Sequence, residues 1–193
     1  FYRDDIRRHG SHNAGLTNFY RVYGKKFAIC VILVDMLKAF VAVKLGSAVF
    51  DAYLGLRLEG EYFSALFCVI GHIFPAFYSF KGGKGIAATA GLILAIHPAF
   101  IPMGVILFFG TFLLTHYVSL GSLLVYAGFL IEMVIMGQMD LFSMPVGHRI
   151  EMYVIAAFLT AMAYWKHREN IKRLLSGTER KTYLFKKNKE ALN

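Results

Sequence analysis

The residues best suited to chemistry form a glycine-rich loop between two long apolar segments. Residues 80–85 read Phe-Lys-Gly-Gly-Lys-Gly, so three glycines fall within four positions, together with two lysines. Glycine leaves the backbone unhindered, and backbone N–H and ammonium groups can converge there on one anion. The loop lacks Walker A spacing, and a tight turn with lysines reaching the membrane surface is the alternative interpretation. The candidate phosphate-binding residues are Lys81, Gly82, Gly83, Lys84 and Gly85.

A second polar segment, residues 10–21, is dense in hydroxyl and amide side chains and ends in an arginine. Hydroxyls and amides hydrogen-bond to phosphate and glycerol oxygens, and an arginine can bind a phosphate through two parallel hydrogen bonds. A loop that merely caps the next helix would have a similar composition. The candidate substrate-binding residues of this segment are Ser11, Asn13, Gly15, Thr17, Asn18 and Arg21.

Two further segments carry candidate catalytic residues. Ser119 lies at the start of an apolar helix, where hydroxyls and N–H groups can face an anion; close packing of small residues is the alternative there. His167 and Asn170 are three residues apart and therefore project from the same side of a helix. A histidine beside an amide can orient a substrate hydroxyl or accept its proton. We expect Arg168, Lys172 and Arg173 to face lipid headgroups instead.

Charged residues also occur inside the apolar segments, where they are expensive unless paired or functional. Asp35 and Lys38 are three residues apart, which predicts an ion pair within one helix, with a contribution to the site left open. His72 precedes the glycine-rich loop and is either a buried interior histidine or part of the pocket wall. Glu132 has no assigned partner.

Composition indicates a membrane protein. The 193 residues are 57% hydrophobic and 17% charged, with a mean hydropathy of +0.53, above the apolar share of an ordinary soluble domain. The net charge of +9 is typical of cytoplasmic membrane loops, and no nucleic-acid-binding motif accompanies it. Cys30 and Cys68 lie inside apolar runs, which argues against a disulfide or metal pair. We therefore predict no nucleic-acid partner, metal or cofactor.

The apolar runs predict an all-α, polytopic membrane protein with six spans in a single domain, residues 1–193. A membrane helix needs about 20 mostly apolar residues, and the run at 86–97 is short. The predicted spans are 27–45, 62–80, 86–97, 99–115, 118–137 and 149–165.

The distribution of Lys and Arg predicts the orientation of these spans. With six spans, the basic segments before residue 27, around 81–85 and after 165 share one side, which the positive-inside rule places in the cytoplasm. If 86–97 did not span, the basic tail would lie outside, and this disfavours that alternative. The tail, residues 171–193, is predicted to be a short amphipathic helix followed by a basic stretch attracted to lipid.

Taken together and in order, these segments resemble the PlsY family, the bacterial integral-membrane acyl-phosphate:glycerol-3-phosphate acyltransferases. That family has Gly-Ser-Gly-Asn-x-Gly-Ala-Thr-Asn-x-x-Arg, Asp-x-x-Lys, Gly-His-x-x-Pro with Phe-Lys-Gly-Gly-Lys-Gly, Tyr-x-Ser-Leu and His-x-x-Asn-Ile-x-Arg-Leu. The matching positions are 10–21, 35–38, 71–85, 117–120 and 167–174. His12 and Leu16 replace a glycine and an alanine, so we expect the local turn or pocket to differ slightly.

The resemblance implies transfer of an acyl group from acyl phosphate to the 1-hydroxyl of sn-glycerol 3-phosphate, giving lysophosphatidic acid and phosphate. It implies a bacterial cytoplasmic membrane, an active site at the cytoplasmic face and no cofactor. It also implies a soluble enzyme that supplies the acyl phosphate. The family has seven spans, so we expect that this sequence is truncated before its first span.

On this hypothesis the glycine-rich loop binds the acyl-phosphate headgroup and residues 11–21 bind glycerol 3-phosphate, or the two are exchanged. Ser119, His167 and Asn170 are the candidate catalytic residues, with His167 or the leaving phosphate as the base. Ser119 could in principle be acylated, but the sequence shows no Ser-His-carboxylate order, and no cysteine lies in a polar motif. We therefore expect direct attack by the hydroxyl on the mixed anhydride.

Two other functions use similar residues. An organophosphate transporter would recruit anions with the same basic loops, but the duplicated halves common in transporters are not visible. A membrane kinase or CDP-alcohol phosphotransferase would need a Walker loop or repeated metal-binding aspartates, and the sequence has neither.

Overall fold

The computed structural model describes residues 4–183, and within them every regular element is a helix. The basic stretch predicted for 184–193 lies outside the described residues. A helix is found at each of the six predicted spans. The described α-helices are α1 (Leu16–Tyr23), α2 (Lys25–Leu54), α3 (Arg57–Ile73), α4 (Ile86–Ile96), α5 (Phe100–Val105), α6 (Thr111–Thr115), α7 (Val118–Gln138), α8 (Val146–Lys166) and α9 (Arg168–Leu175).

Helix α2 is longer than the span predicted at 27–45, because polar residues at and just beyond the end of that span have partners on α3. Lys44 Nζ and Ser47 Oγ both lie 3.3 Å from Glu61 Oε1, so these polar groups stay within the helix. The helix ends at Gly55, which has a left-handed φ of +68° that glycine adopts without strain.

Helix α3 ends earlier than the predicted span 62–80. The helix stops at Ile73, two residues before Pro75, because proline disfavours helical geometry in the residue before it. The chain then forms a short 3-10 turn at Ala76–Tyr78 and leads into the glycine-rich loop. The sequence prediction of a continuous helix up to the loop was therefore wrong.

Among the described residues, two segments are long and apolar enough by themselves to cross a membrane, Arg57–Tyr78 and Val118–Gln138. Ile86–Ile96 and Phe100–Thr115 are shorter apolar helices. Phe100–Thr115 consists of α5 and α6, which are joined by a π-helical turn at Ile106–Gly110.

The outside of the bundle is as apolar as its interior. The buried core includes Val69, Ile73, Leu92 and Phe100, whereas many large apolar side chains of α2, α6 and α8 point outward. Lipid is the solvent that suits such an exterior. The polar segments collect at one end of the bundle, where α3 and α8 end and α4 and α7 begin.

Candidate active site

A cavity of about 500 Å³ lies at this polar end. Its volume is in the usual range for sites that bind small molecules. It is bounded by the N-terminal polar segment, the end of the glycine-rich loop, the start of α7 and the junction of α8 with α9. The predicted site residues that line it are Ser11, Asn13, Gly15, Thr17, Asn18, Arg21, Lys84, Gly85, Ser119, His167 and Asn170.

Asn18 organises the N-terminal polar segment. Its side chain is 1% exposed, its amide N–H groups donate to the carbonyls of Ile6, His9 and Asn13, and its Oδ1 accepts from the N–H of Ser11. These bonds use both amide N–H groups and one of the two acceptor positions of Oδ1. Asn18 therefore shapes the loop that presents Ser11 and Asn13 to the cavity, and its predicted role in binding substrate stays a prediction.

Arg21 reaches the cavity from α1 and is held by the chain after α9. Its guanidinium donates to Thr182 Oγ1 at 2.9 Å and to the carbonyl of Arg180 at 3.4 Å. Tyr20 Oη likewise donates to the carbonyl of Tyr183. The chain around 179–183 thus lies across one side of the cavity and fixes the direction of the arginine.

The glycine-rich loop is divided between two roles. Lys81, Gly82 and Gly83 do not line the cavity; Lys81 is exposed, and the Gly82 N–H donates to the carbonyl of Ile73 at 3.1 Å. A Cβ on Gly82 would lie 2.0 Å from the carbonyl oxygen of His72. The structure thus gives the first two glycines a packing role at the end of α3, and the phosphate contact predicted for these three residues stays a prediction.

Lys84 and Gly85 are the part of the loop that faces the cavity. Lys84 Nζ donates to Asn170 Oδ1. Burial lowers the pKa of Lys84 to about 8, and the charges of Arg173 and Arg21 act in the same direction. An anion bound beside this ammonium would restore its preference for the charged form.

His167 lies at the junction of α8 and α9 and is 3% exposed. Its Nδ1 is 2.8 Å from the carbonyl oxygen of Ala163, which can only accept, so we assign the proton to Nδ1 and the lone pair to Nε2. Burial and the nearby Lys84 charge lower the pKa of His167 to about 4. At neutral pH the ring is therefore an uncharged hydrogen-bond acceptor.

Glu179 joins three site residues, and the sequence analysis did not single it out. Its Oε1 accepts from Ser119 Oγ and Asn170 Nδ2, each at 2.7 Å, and its Oε2 accepts from Arg173 Nε at 2.7 Å. Burial alone would raise the pKa of Glu179, but the hydrogen bonds from Asn170, Ser119 and Arg173 outweigh it and keep the carboxylate ionised.

Arg168 and Arg173 line the cavity, and Arg173 pairs with Glu179, so the expectation that these two residues face lipid headgroups was wrong. One signal in the sequence could have identified Glu179. It is the first of only two acidic residues in the basic stretch after α9, and it follows Gly177, whose left-handed φ of +69° allows the chain to turn back.

Positive charge dominates the lining of the cavity. Six Lys and Arg side chains line it against three carboxylates, and one of these carboxylates is held by Arg173. Such a cavity attracts a phosphate dianion. Within residues 4–183, no group of three or more His, Cys, Asp or Glu side chains has the geometry to hold a metal ion. The cationic residues are Arg21, Lys84, Lys166, Arg168, Arg173 and Arg180, and the acidic ones are Asp35, Glu169 and Glu179.

Comparisons with known proteins agree with these features. The sequence profile of the glycerol-3-phosphate acyltransferase family matches residues 1–177. A glycerol-3-phosphate acyltransferase of Mycoplasmopsis synoviae is 39% identical over 190 residues, which span 94% of this chain and 84% of the relative. One of Finegoldia magna is 41% identical over 182 residues, spanning 93% of this chain and 83% of the relative.

Two crystal structures of PlsY, an integral membrane glycerol 3-phosphate acyltransferase, have a similar fold. The glycerol 3-phosphate form superposes with a TM-score of 0.78 at 32% identity and covers 94% of this chain and 84% of that one. The lysophosphatidic acid form superposes with a TM-score of 0.74 at 31% identity and covers 90% and 82%. The prediction of an all-α polytopic membrane protein is confirmed, and the chain belongs to the family of glycerol-3-phosphate acyltransferases.

Proposed function

We propose that this chain transfers an acyl group from acyl phosphate to the 1-hydroxyl of sn-glycerol 3-phosphate. The products are lysophosphatidic acid and inorganic phosphate. The observation that carries the proposal is one cavity with excess positive charge, formed by four separate polar segments at the end of an apolar bundle. Both substrates carry a phosphate, and one of them also carries a fatty chain. A cationic cavity at the edge of a lipid-facing bundle suits this pair.

The geometry supports an assignment of residues to the two substrates. Lys84 and Gly85 are the parts of the glycine-rich loop that line the cavity, and we assign them to the phosphate of the acyl donor. Arg21 lines the same cavity, together with the hydroxyl and amide groups of Ser11, Asn13 and Thr17 from the N-terminal polar segment, and we assign these residues to glycerol 3-phosphate. A cationic side chain close to each phosphate neutralises its negative charge. Without this, the phosphates of the two substrates would repel each other.

The reaction proceeds by direct attack. The glycerol hydroxyl oxygen bonds to the acyl carbonyl carbon, the bond from that carbon to the phosphate oxygen breaks, and the hydroxyl proton ends on the released phosphate. Ser119 Oγ donates to Glu179, and we assign Ser119 to positioning that carboxylate. His167 Nε2 accepts from the hydroxyl and orients it. Since acyl phosphate is already activated, positioning and charge neutralisation supply most of the acceleration.

The cavity faces the cytoplasm of a bacterial cell, and the chain lies in the cytoplasmic membrane. The polar end of the bundle carries the cationic cavity, whereas the far end carries acidic side chains such as Glu59, near His148, and Glu151, near Tyr62. Cytoplasmic ends of membrane proteins are the basic ones. Glycerol 3-phosphate reaches such a site from water, and the acyl phosphate comes from a soluble enzyme that forms it.

The reaction is tested with the purified protein in detergent, supplied with palmitoyl phosphate and glycerol 3-phosphate. Release of phosphate and formation of lysophosphatidic acid are followed together. We expect turnover that Lys84→Ala abolishes. Lys172→Ala changes an exposed lysine of α9 that does not line the cavity, and it should leave turnover within about threefold. If turnover occurs only with an acyl-CoA or an acylated acyl carrier protein, that molecule is the acyl donor and acyl phosphate is not. Absence of product with every donor would contradict acyl transfer and favour transport of an organophosphate.

The direct mechanism has its own test. Protein incubated with labelled palmitoyl phosphate alone is examined by mass spectrometry for a covalent acyl adduct. We expect none. A stable serine adduct that passes its acyl group to glycerol 3-phosphate would replace direct attack with a two-step reaction.

A further inference from the structure

Three polar side chains meet beneath the glycine-rich loop at the interface of α2 and α3. Lys38 Nζ lies 2.6 Å from Asp35 Oδ1 and 2.8 Å from His72 Nδ1. The side chains of Asp35 and His72 are 12% and 8% exposed, and both line the cavity. We call Asp35, Lys38 and His72 the α2–α3 cluster.

The hydrogen bonds of the α2–α3 cluster determine the state of the histidine. An ammonium group can only donate, so the contact with Lys38 makes His72 Nδ1 an acceptor, and we assign the ring proton to Nε2. Asp35 Oδ1 accepts from the same ammonium, while its 3.5 Å separation from His72 Nδ1 is long for a hydrogen bond. Lys38 therefore connects the buried carboxylate to the ring and fixes the orientation of the ring.

The glycine-rich loop rests directly on this ring. A Cβ on Gly83 would lie 2.4 Å from His72 Nε2 and 3.1 Å from His72 Cε1, and a Cβ on Gly82 would meet the carbonyl oxygen of His72. Only glycine allows so close an approach at these positions. Because Lys84 is the next residue, the position of the His72 ring determines where the loop places the Lys84 ammonium group.

We propose that the α2–α3 cluster positions the glycine-rich loop, with His72 as the support on which Gly83 rests and with Lys38 and Asp35 holding His72. The proposal rests on the proposed function, because it assigns the cluster to the placement of Lys84 for phosphate binding. The three residues are positioning residues that act through the loop. Because they act through Lys84, a change in any of the three residues should weaken binding of acyl phosphate, the substrate assigned to Lys84.

A double-mutant cycle between Gly83→Ala and His72→Ala tests the support. The binding readout is the rise in unfolding temperature caused by glycerol 3-phosphate or by palmitoyl phosphate, which does not require turnover; KM and kcat are measured alongside. We expect each single change to weaken binding of one phosphate substrate about 10-fold or more. The double variant should bind no more weakly than His72→Ala alone, because removal of the ring makes room for the new methyl group.

Gly71→Ala is the matched control, since a Cβ there meets nothing within 4 Å, and its substrate affinity should stay within about twofold. If the effects of Gly83→Ala and His72→Ala simply multiply, the two residues act independently and the proposal is overturned. If His72→Ala does not fold, His72→Ser, which also removes the ring but keeps a small polar group, takes its place in the cycle.

The connection through Lys38 is tested with Lys38→Met, which keeps most of the stem and removes the donor. We expect weaker substrate binding at nearly unchanged kcat, partial rescue by Lys38→Arg, and no further loss when Lys38→Met is added to His72→Ala. Lys44→Met is the control, because it removes another α2 lysine whose partner is Glu61 on α3. Equal losses for Lys38→Met and Lys44→Met would mean a general loss of helix packing and would overturn the role of Lys38.

These results separate the proposal from the proposed function. Wild-type turnover alone decides whether acyl transfer occurs. The binding measurements decide whether Gly83 and His72 are coupled, and they can be made whether or not the wild type turns over.

Discussion

His167 is held as a neutral acceptor, and this limits what it can do in the reaction. A pKa of about 4 makes the ring a weak base at neutral pH, where an efficient general base has a pKa near the working pH. Orientation of the hydroxyl requires only the lone pair on Nε2. The released phosphate is the stronger proton acceptor of the two.

We therefore expect His167→Ala to lower kcat by about 10- to 100-fold, the scale of one lost orienting hydrogen bond. His167→Gln should recover part of that loss, because its carbonyl oxygen can accept from the hydroxyl. Steady-state kinetics with palmitoyl phosphate provide the measurement, and His97→Ala at the far end of α4 is the control. A loss of about 10,000-fold that His167→Gln does not relieve would identify His167 as the base.

The titration of Lys84 should limit activity at alkaline pH. Because burial lowers the pKa of this ammonium to about 8, the charged form prevails below that pH and is lost above it. We expect kcat/KM for palmitoyl phosphate, the substrate assigned to Lys84, to fall as the pH rises through about 8. His167, with its pKa of about 4, should not titrate between pH 5 and pH 8.

The Lys84→Arg variant keeps a charged group at high pH. Its residual kcat/KM should therefore lack the decline near pH 8, and a pH series on both proteins makes the comparison. An identical alkaline decline in wild type and Lys84→Arg would assign the titration to another group.

Glu179 organises one wall of the cavity, since three donors converge on a carboxylate that is 6% exposed. Glu179→Gln removes the charge and turns one oxygen into a donor facing another donor. We expect a loss of about 2–4 kcal/mol in the free energy of unfolding, together with a higher KM for glycerol 3-phosphate. Thermal unfolding in detergent measures the first effect. Glu169→Gln, at an exposed ion pair, should change stability little.

At the scale of the elements, close contact between helices sets the shape of the site. Helix α4 begins at the glycine-rich loop and packs against α2 through Gly91, where a Cβ would lie 2.1 Å from the backbone oxygen of Met36. Small residues permit this approach of two membrane helices. The contact lies between the loop end of α4 and the far end of the bundle, so it helps to fix the direction of α4.

Gly91→Ala should push α2 and α4 apart. We expect a loss of about 1–3 kcal/mol in the free energy of unfolding, the usual effect of overpacking, while Gly104→Ala, whose Cβ meets nothing within 4 Å, serves as the neutral control. Thermal unfolding of both variants makes the comparison. Equal unfolding temperatures for the two would show that the α2–α4 contact relaxes freely.

At the scale of the whole molecule, polar and apolar residues are separated between the ends and the sides of the bundle, and not between its surface and its core. The sides of the bundle are apolar, the far end is acidic, and the end with the cavity is cationic. This distribution fits a protein whose sides contact lipid and whose ends contact water on opposite faces of a membrane.

The orientation can be read from cysteine accessibility in a variant in which Cys30 and Cys68 are replaced by alanine. Ser176→Cys, after α9, should react with a membrane-impermeant maleimide only after the cells are permeabilised. Ser143→Cys, in the loop between α7 and α8, should react in intact cells. The reverse pattern would place the cavity outside the cytoplasm.

Much of this protein could be predicted from the sequence, because the relevant signals are local. Apolar runs of sufficient length dictate helices in lipid, where each backbone group must be paired within its own segment. The residues of the cavity also lie in short polar segments whose composition differs from their surroundings. Of the 14 predicted site residues, Lys81, Gly82 and Gly83 are the three that the structure places away from the cavity.

Only the tertiary structure decided how these segments are used. Whether Gly83 faces a ligand or the ring of His72 depends on where α3 ends, and Pro75 ends it before the predicted span does. Glu179 joins Ser119 across 60 positions of sequence, and no local pattern encodes that distance. Hydrogen bonding and exclusion of overlapping atoms act between residues that are close in space, so the partners of a buried polar group become known only when the chain has folded.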